Sequence, residues 1–192
     1  MIMMPAALHV QFMTITKMLS FMIIVVVVIF LTSTIAVESQ QKNYTSDLLF
    51  IALFSDGISQ IVNDINIIDI EKVQTRIPLF GKNVSGINVI DRQLGSPVEF
   101  IEENRESKEV LINSYNEQGI RITYQTSDLA HNMNKKWVFS LNSSIPFTLK
   151  LPINSTIIDW NDTPTLLELL GEQHLLSFNP GNITLSYIIE NT

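Results

Sequence analysis

The sequence predicts an all-β protein, built as one or two small antiparallel β-sandwich units after a single N-terminal hydrophobic helix. Three observations support this prediction. Short runs in which apolar and polar residues alternate recur through residues 48–189. Gly, Pro, Asn and charged residues separate these runs, and no long amphipathic helical pattern follows residue 38. Short alternating strands joined by polar turns are typical of β-sandwiches.

The hydrophobic helix is predicted at residues 18–37, a run of twenty residues without a charge. A helix of this length can cross a bilayer as an anchor. The apolar core at 21–31, followed by Thr34-Ile35-Ala36, fits equally well a signal peptide that is cleaved after Ala36. A lysine precedes the run and acidic residues follow it, so residues 1–17 are expected in the cytoplasm and the rest of the chain outside.

Glycosylation signals agree with export. The chain has 16 asparagines, and six of them begin an Asn-X-Ser/Thr sequon, a modest excess over chance. A sequon marks a surface that an oligosaccharide transferase reaches in an exported protein. The six predicted glycosylation sites are Asn43, Asn83, Asn142, Asn154, Asn161 and Asn182.

The part of the chain that follows the hydrophobic run is predicted to begin with a polar linker at 38–46. A series of strands is predicted after it. Residues 48–54 predict a buried strand and residues 58–68 its returning partner. Asp56-Gly57 predicts the tight turn between them, because this pair supplies the positive φ that hairpin turns need. Further short strands are predicted at 73–80, 86–90, 98–101, 110–113 and 120–125.

The second half continues the pattern, with alternating strands predicted at 137–141, 147–151 and 183–189. Residues 165–170 have no clear period and fit either a helical turn or a strand. The segments 110–124 and 175–187 resemble each other, which suggests a duplicated hairpin. This organisation predicts two immunoglobulin-like units, at 45–127 and 135–192, of which the second is small and must pack against the first.

Charge and residue content exclude several classes of protein. The 192 residues include 12 Lys and Arg against 19 Asp and Glu, which gives a formal net charge of −7. A nucleic-acid binder needs a clustered basic surface to displace counterions, so no nucleic-acid partner is expected. The chain has no cysteine, which excludes disulfides, thiolate metal sites and cysteine nucleophiles.

No group of residues in the sequence predicts a catalytic, cofactor or metal site. His131 and His174 are isolated and lack the spacing of zinc or copper ligands. Asp56 and Asp162 do not lie in the Asp-Thr/Ser-Gly loops that an aspartic protease needs. The two histidines are expected to be surface or turn residues, and Asp56 is expected to belong to the hairpin turn.

Three other features are interpreted as parts of the structure rather than as binding sites. The acidic cluster at 99–109 predicts a solvated hairpin tip rather than a calcium loop, because its spacing is not that of an EF-hand. Lys135-Lys136 predicts a charged strand edge, which blocks pairing with other chains. Trp137 and Trp160 are predicted core residues, with sugar stacking by an exposed Trp160 as the alternative.

Four segments of the sequence carry a resemblance to a known group of proteins. They are Leu53-Phe-Ser-Asp-Gly57, Tyr124-Gln-Thr-Ser-Asp-Leu129, Lys136-Trp-Val-Phe-Ser140 and Pro146-Phe-Thr-Leu-Lys-Leu-Pro152. Together they resemble the extracytoplasmic β domains of uncharacterised archaeal membrane-anchored proteins. This resemblance implies a location and a fold, and it brings no catalytic residues. The plan of one apolar helix and a glycosylated β-sandwich also resembles archaellins and archaeal pilins.

The sequence therefore predicts a non-enzymatic extracytoplasmic protein of the archaeal cell surface, without a cofactor. It would act in recognition, in envelope structure or in assembly with a membrane partner, and residues 18–37 would hold it in the membrane if they are not cleaved. One alternative is an archaellin- or pilin-like filament subunit or filament-anchoring protein. A second alternative is an exported hydrolase or metal-binding protein.

Overall fold

The computed structural model describes residues 44–69, 71, 73–103 and 108–190, and this part of the chain consists of β-strands and connecting turns. The strands are β1 (Tyr44–Leu53), β2 (Ser59–Ile67), β3 (Gln74–Pro78), β4 (Val84–Asp91), β5 (Phe100–Glu103), β6 (Glu109–Asn113), β7 (Gly119–Thr126), β8 (Ala130–Met133), β9 (Lys136–Ser143), β10 (Phe147–Lys150), β11 (Ser155–Trp160), β12 (Leu166–Leu170), β13 (Gln173–Phe178) and β14 (Gly181–Ile189). The all-β prediction is confirmed for these residues.

The predicted N-terminal helix at 18–37 and the sequon at Asn43 lie outside the described residues. Within the described ranges, no helix has the length and apolar character needed to cross a membrane. Strand β1 begins at Tyr44 and so overlaps the last residues of the predicted linker at 38–46. Its polar residues form ladder pairs with β2, and the Ser46 hydroxyl donates a hydrogen bond of 2.7 Å to Asn63 Oδ1.

The strands of the described chain form three sheets. The seven-stranded sheet has the order β12-β13-β10-β1-β2-β7-β4, the four-stranded sheet β11-β14-β9-β8 and the three-stranded sheet β3-β6-β5. Strand β1 pairs with β10 in parallel, with Phe50 opposite Thr148. Strands from both predicted units, 45–127 and 135–192, therefore belong to one continuous sheet.

The prediction of a duplicated hairpin is wrong. Strand β6 pairs with β3 and β5 while β7 pairs with β2 and β4, and β13 and β14 also lie in different sheets. In both segments the Asn/Gly turn carries the chain from one sheet to another. Local residue pattern specifies a strand and a turn, whereas the pairing partner depends on which distant strand covers the apolar face.

Alternation along the strands places one apolar face in a common core. In β7, the predicted inward residues Ile120, Ile122 and Tyr124 are all buried, as are Ile183, Leu185 and Tyr187 in β14. Residues from all three sheets contribute to one apolar cluster. Burial of these side chains, at about 1.5–3 kcal/mol each, is the main force that holds the sheets together.

The turn between β1 and β2 forms as the sequence predicts. Gly57 adopts a φ of +88° and donates its backbone N–H to Phe54 O at 3.1 Å. The Asp56 carboxylate accepts a hydrogen bond of 3.0 Å from the Ile58 backbone N–H. A positive φ costs glycine nothing, whereas any side chain there is strained.

Replacing Gly57 with alanine is expected to lower the free energy of unfolding by about 1–2 kcal/mol. The added Cβ would lie 2.7 Å from Cζ3 of Trp137, in addition to the strain at φ +88°. Urea unfolding followed by circular dichroism measures the loss. Gly86→Ala is the matched control, since Gly86 has a φ of +63° but open space around it. Equal losses in the two variants would contradict a role for the close Trp137 ring.

Candidate functional site

Strand β12, at one edge of the seven-stranded sheet, is exposed along its whole length. Four of its five residues are leucines, with exposed fractions of 41% for Leu166, 51% for Leu167, 64% for Leu169 and 56% for Leu170. One side of the strand pairs with β13, and no other described strand pairs with its outer side. An unprotected apolar edge strand is unusual, because such edges recruit other chains.

The leucines lie on both faces of β12. Leu167 is opposite Leu176, which is buried, and Leu169 is opposite His174, so these two leucines share the core-facing side of the hairpin. Neighbouring residues of a strand point to opposite faces, so Leu166, Glu168 and Leu170 lie on the other side. Each face of the strand therefore carries two leucines, and Glu168 is its one charged residue.

A groove of about 550 Å³ runs between β11 of the four-stranded sheet and the β12–β13 hairpin. Its lining residues are Thr156, Ile157, Ile158, Asp159, Trp160, Leu167 and His174. The β11–β14 pairing is irregular between Ile157 and Asp159, where Ile158 is an extra residue. Such a bulge breaks the strict alternation of side chains. After the bulge the register is regular again, with Asp159 opposite Ser186 and Trp160 opposite Leu185. Asp159 and Trp160 therefore lie on opposite faces of β11.

The groove combines aromatic, aliphatic and acidic groups. Asp159 is its one carboxylate, and no Lys or Arg is among its lining residues. The backbone N–H of Trp160 donates a hydrogen bond of 2.9 Å to Asp159 Oδ1. The Nδ1 atom of His174 is buried and has no hydrogen-bond partner among the described residues. The groove is thus of mixed polarity, with one carboxylate among its lining residues.

The structure does not bring together the histidines and aspartates that were considered as catalytic or metal-binding candidates. His131 is exposed on β8, Asp56 caps the β1–β2 turn and Asp162 is exposed after β11, whereas His174 lies in the groove. Among the described residues, no three His, Asp or Glu side chains are placed to hold a metal ion together. The exported-hydrolase hypothesis, which needed such a cluster, gains no site from this part of the chain.

The two tryptophans both pack partly against the core. Trp137 stacks on Tyr187, with 6.4 Å between ring centroids and 13° between ring planes. Trp160 is half-buried and lines the groove. The acidic cluster at 99–109 spans β5 and β6, which form the predicted hairpin, although residues 104–107 lie outside the described part.

Four of the predicted glycosylation sites, Asn83, Asn142, Asn161 and Asn182, are exposed, and Asn154 is half-buried in a turn with a φ of +58°. The Asn161 side chain already makes two hydrogen bonds. Its Nδ2 donates to Asn182 O at 2.8 Å and its Oδ1 accepts the Thr184 N–H at 2.7 Å.

Sequence analysis did not identify the β12 leucines or Asp159 as site residues. A signal was present, because Leu-Leu-Glu-Leu-Leu at 166–170 is apolar on both faces of a strand. A strand of that kind is either buried on both faces or exposed as a contact surface. Only the position of β12 at the sheet edge decides between these two.

No protein-family model matches the chain, and no curated protein matches it in sequence. Solved structures with a similar fold include an M1 zinc metallopeptidase from Deinococcus radiodurans, with 12% identity and a TM-score of 0.46. An aminopeptidase A from Legionella pneumophila in complex with aspartic acid shows 11% identity and a TM-score of 0.48. Yeast LTA4 hydrolase in complex with bestatin shows 10% identity and a TM-score of 0.47.

These matches cover 77–79% of the present chain but only 43%, 22% and 31% of the three enzymes, in the same order. The chain therefore spans less than half the length of each of them. At such identities the likeness concerns the fold alone, and no catalytic residue is transferred.

The matches nevertheless correct two predictions. The chain was predicted to be non-enzymatic, and to act as a cell-surface recognition, envelope or filament protein. Both predictions are contradicted by these comparisons, in which the similar solved structures are a zinc metallopeptidase, an aminopeptidase and a hydrolase. The reasoning failed because it treated the lack of a catalytic motif as evidence against enzymes.

Proposed function

We propose that the β domain binds a polypeptide segment in an extended conformation, along the open edge of β12 and in the adjoining groove. One observation supports this function above all: β12 is exposed throughout although four of its five residues are leucine. An extended segment that adds a strand to a sheet edge pairs with its main-chain groups and places alternate side chains on the two faces.

The size of the apolar surface sets the expected strength of binding. Covering the four half-exposed leucines is worth about 3–6 kcal/mol in total. Association costs about 4–15 kcal/mol in lost freedom, so the leucines alone do not hold a peptide. Each strand-addition hydrogen bond contributes about 0.5–1.5 kcal/mol. Weak binding is therefore expected, with a dissociation constant that is micromolar at best.

A second copy of the chain is a poorer occupant of the edge than another polypeptide. Antiparallel pairing of two β12 strands about their centre places Glu168 directly opposite its own copy. Like charges in directly opposed positions destabilise a strand pair. The formal net charge of −7 also makes two copies repel each other and favours a segment with basic or neutral residues.

Binding is tested with the purified full-length protein and a labelled, end-blocked nine-residue peptide of alternating Leu and Thr. Fluorescence anisotropy is expected to show saturable binding. The variant with both Leu167→Ser and Leu169→Ser is expected to bind about tenfold more weakly, since two of the exposed leucines are lost. Leu94→Ser is the control, because Leu94 is 82% exposed and lies in a turn after β4.

The proposal fails if no saturable binding is seen, or if the double variant binds as well as the unchanged protein. Analytical ultracentrifugation and flotation with phosphatidylcholine vesicles distinguish other occupants. Leucine-dependent dimers or vesicle binding, without peptide binding, would show that the edge serves a second copy or a lipid surface instead.

We also propose that the sheets pack face to face as a sandwich, and that the chain is exported with its β domain outside the membrane. Support for the first comes from the single apolar cluster shared by the three sheets. Support for the second comes from the exposure of four of the sequons. Intact mass and N-terminal sequence of the native protein test export: added mass at the sequons is expected, and an unmodified chain in the cytosol contradicts it.

A further inference from the structure

The groove beside β12 opens between two sheet edges. Strand β11 is the last strand of the four-stranded sheet and β12 is the last strand of the seven-stranded sheet, and both border the groove. In the described part of the chain, no strand pairs with the outer side of either. A strand that is added to β12 therefore lies at the mouth of the groove, and its core-facing side chains point toward it.

The wall that β11 contributes to the groove is apolar on its inner face. Ile157 is opposite Tyr187 and Trp160 is opposite Leu185, and both of these partners are fully buried. Directly opposite residues of a strand pair share one face of the sheet, so Ile157 and Trp160 are directed toward the core side. Both side chains also pack partly against the core.

The β12–β13 hairpin supplies the facing wall. Leu167 is opposite the buried Leu176, and His174 lies two residues from Leu176 on the same face of β13. The core-facing lining residues are thus two aliphatic side chains, one indole and one imidazole, without a carboxylate, lysine or arginine. Asp159 is opposite Ser186, on the other face of β11, and adds no charged group to this inner surface.

An inner surface of this kind disfavours charged side chains. A charge that enters the groove loses water and finds no ion-pair partner there, which is costly. A bulky apolar side chain instead exchanges water for contacts with Trp160 and Ile157. Aromatic rings bury the largest apolar area, and they gain further from packing against an indole ring. The groove, of about 550 Å³, offers room for one such ring.

We propose that the groove accepts one aromatic side chain of the extended segment that pairs with β12. This inference rests on the proposed polypeptide binding and adds its specificity. The main chain of the segment would pair with β12, while its aromatic residue packs against Trp160, Ile157 and Leu167. This contact adds apolar area to the binding surface, which the exposed leucines alone do not supply in sufficient amount.

The test uses three end-blocked nine-residue peptides of alternating Leu and Thr, in which the central leucine is replaced by phenylalanine, alanine or lysine. Fluorescence anisotropy with the full-length protein is expected to show the phenylalanine peptide binding about tenfold more tightly than the alanine peptide. The lysine peptide should bind no more tightly than the alanine peptide at physiological salt, which screens attraction to the net negative charge. The inference is overturned if the phenylalanine and alanine peptides bind equally, or if the lysine peptide binds most tightly.

Trp160→Ala is expected to reduce the preference for phenylalanine to less than about threefold, because the ring that the phenylalanine contacts is lost. Asp159→Asn is the matched control, since its side chain lies on the other face of β11 and the variant should keep the full preference. A full preference in Trp160→Ala, or an equal loss in Asp159→Asn, contradicts the proposed position of the aromatic side chain.

Intrinsic fluorescence tests the same position without altering the groove. The chain has two tryptophans, so Trp137→Phe leaves Trp160 as the one tryptophan emitter. The phenylalanine peptide is expected to shift this emission to shorter wavelength and to protect it from acrylamide, because the ring shields Trp160 from water. Trp160→Phe, which keeps Trp137, is the control and should show no shift.

An unchanged Trp160 emission at saturating phenylalanine peptide overturns the inference, even where Trp160→Ala does not fold. In every one of these failures the peptides still bind in a leucine-dependent way. Failure of all three peptides to bind overturns the proposed function itself.

Discussion

Replacing Phe178 with alanine is expected to lower the free energy of unfolding by about 3–5 kcal/mol, a large part of the total stability of a domain. Phe178 is 1% exposed and stacks on Phe147, with 5.3 Å between ring centroids. Phe147 in turn packs on Phe139 at 6.2 Å. Because Phe139 belongs to the four-stranded sheet and the other two to the seven-stranded sheet, the three rings join the two sheets. Alanine would remove the ring on which Phe147 stacks and leave a cavity beside this junction.

Urea unfolding by circular dichroism measures the loss, and Phe178→Leu provides a milder variant if the alanine protein does not fold. Phe178→Leu is expected to lose about 1–2 kcal/mol, since most of the apolar volume remains. Phe54→Ala is the control, because Phe54 is 43% exposed beside the β1–β2 turn and should lose less than about 1 kcal/mol. Similar losses for Phe178→Ala and Phe54→Ala would show that the aromatic junction does not stabilise the fold.

Removing the hydroxyl group is expected to change the free energy of unfolding differently at two buried tyrosines. The Tyr124 hydroxyl accepts a hydrogen bond of 2.7 Å from the Phe80 backbone N–H. Tyr124→Phe leaves that N–H without its partner and is expected to cost about 1–3 kcal/mol. The Tyr187 hydroxyl is buried without a hydrogen-bond partner in the described part of the chain, so Tyr187→Phe is expected to be neutral or slightly stabilising.

Burial raises the pKa of both phenols well above the usual range, so both hydroxyls stay protonated at physiological pH and the comparison is between two neutral groups. Each variant keeps the aromatic ring and serves as the control for the other. Thermal and urea unfolding of the two proteins measure the difference. A loss from Tyr187→Phe as large as that from Tyr124→Phe would contradict the assignment of the hydrogen bonds.

Several local features were predictable because they depend on neighbouring residues alone. The turn at Asp56-Gly57 follows from the need for a positive φ, and the inward face of β7 follows from the period of two along Ile120, Ile122 and Tyr124. Pairing was not predictable in the same way. The β6–β7 and β13–β14 segments look like hairpins in sequence, yet each divides its strands between two sheets.

The candidate site illustrates the same limit. Trp160 and His174 attracted attention in the sequence as isolated residues, but nothing there placed His174 beside Trp160 and Asp159. They meet because β11 of one sheet and the β12–β13 hairpin of another form the two walls of a groove. Contacts between distant segments depend on how sheets pack, and residue spacing does not encode that arrangement directly.

The sequence by itself determined the all-β class, the tight β1–β2 turn and the alternation that separates core from surface, since these depend on short-range backbone and side-chain preferences. The tertiary structure decided three other matters: that β1 and β10 join the two halves in one sheet, that the Leu-rich segment at 166–170 is an exposed edge strand, and that β11 and the β12–β13 hairpin border one groove. An edge strand and a central strand have the same local pattern. Which of them is left without a partner is settled only when the whole sheet has formed.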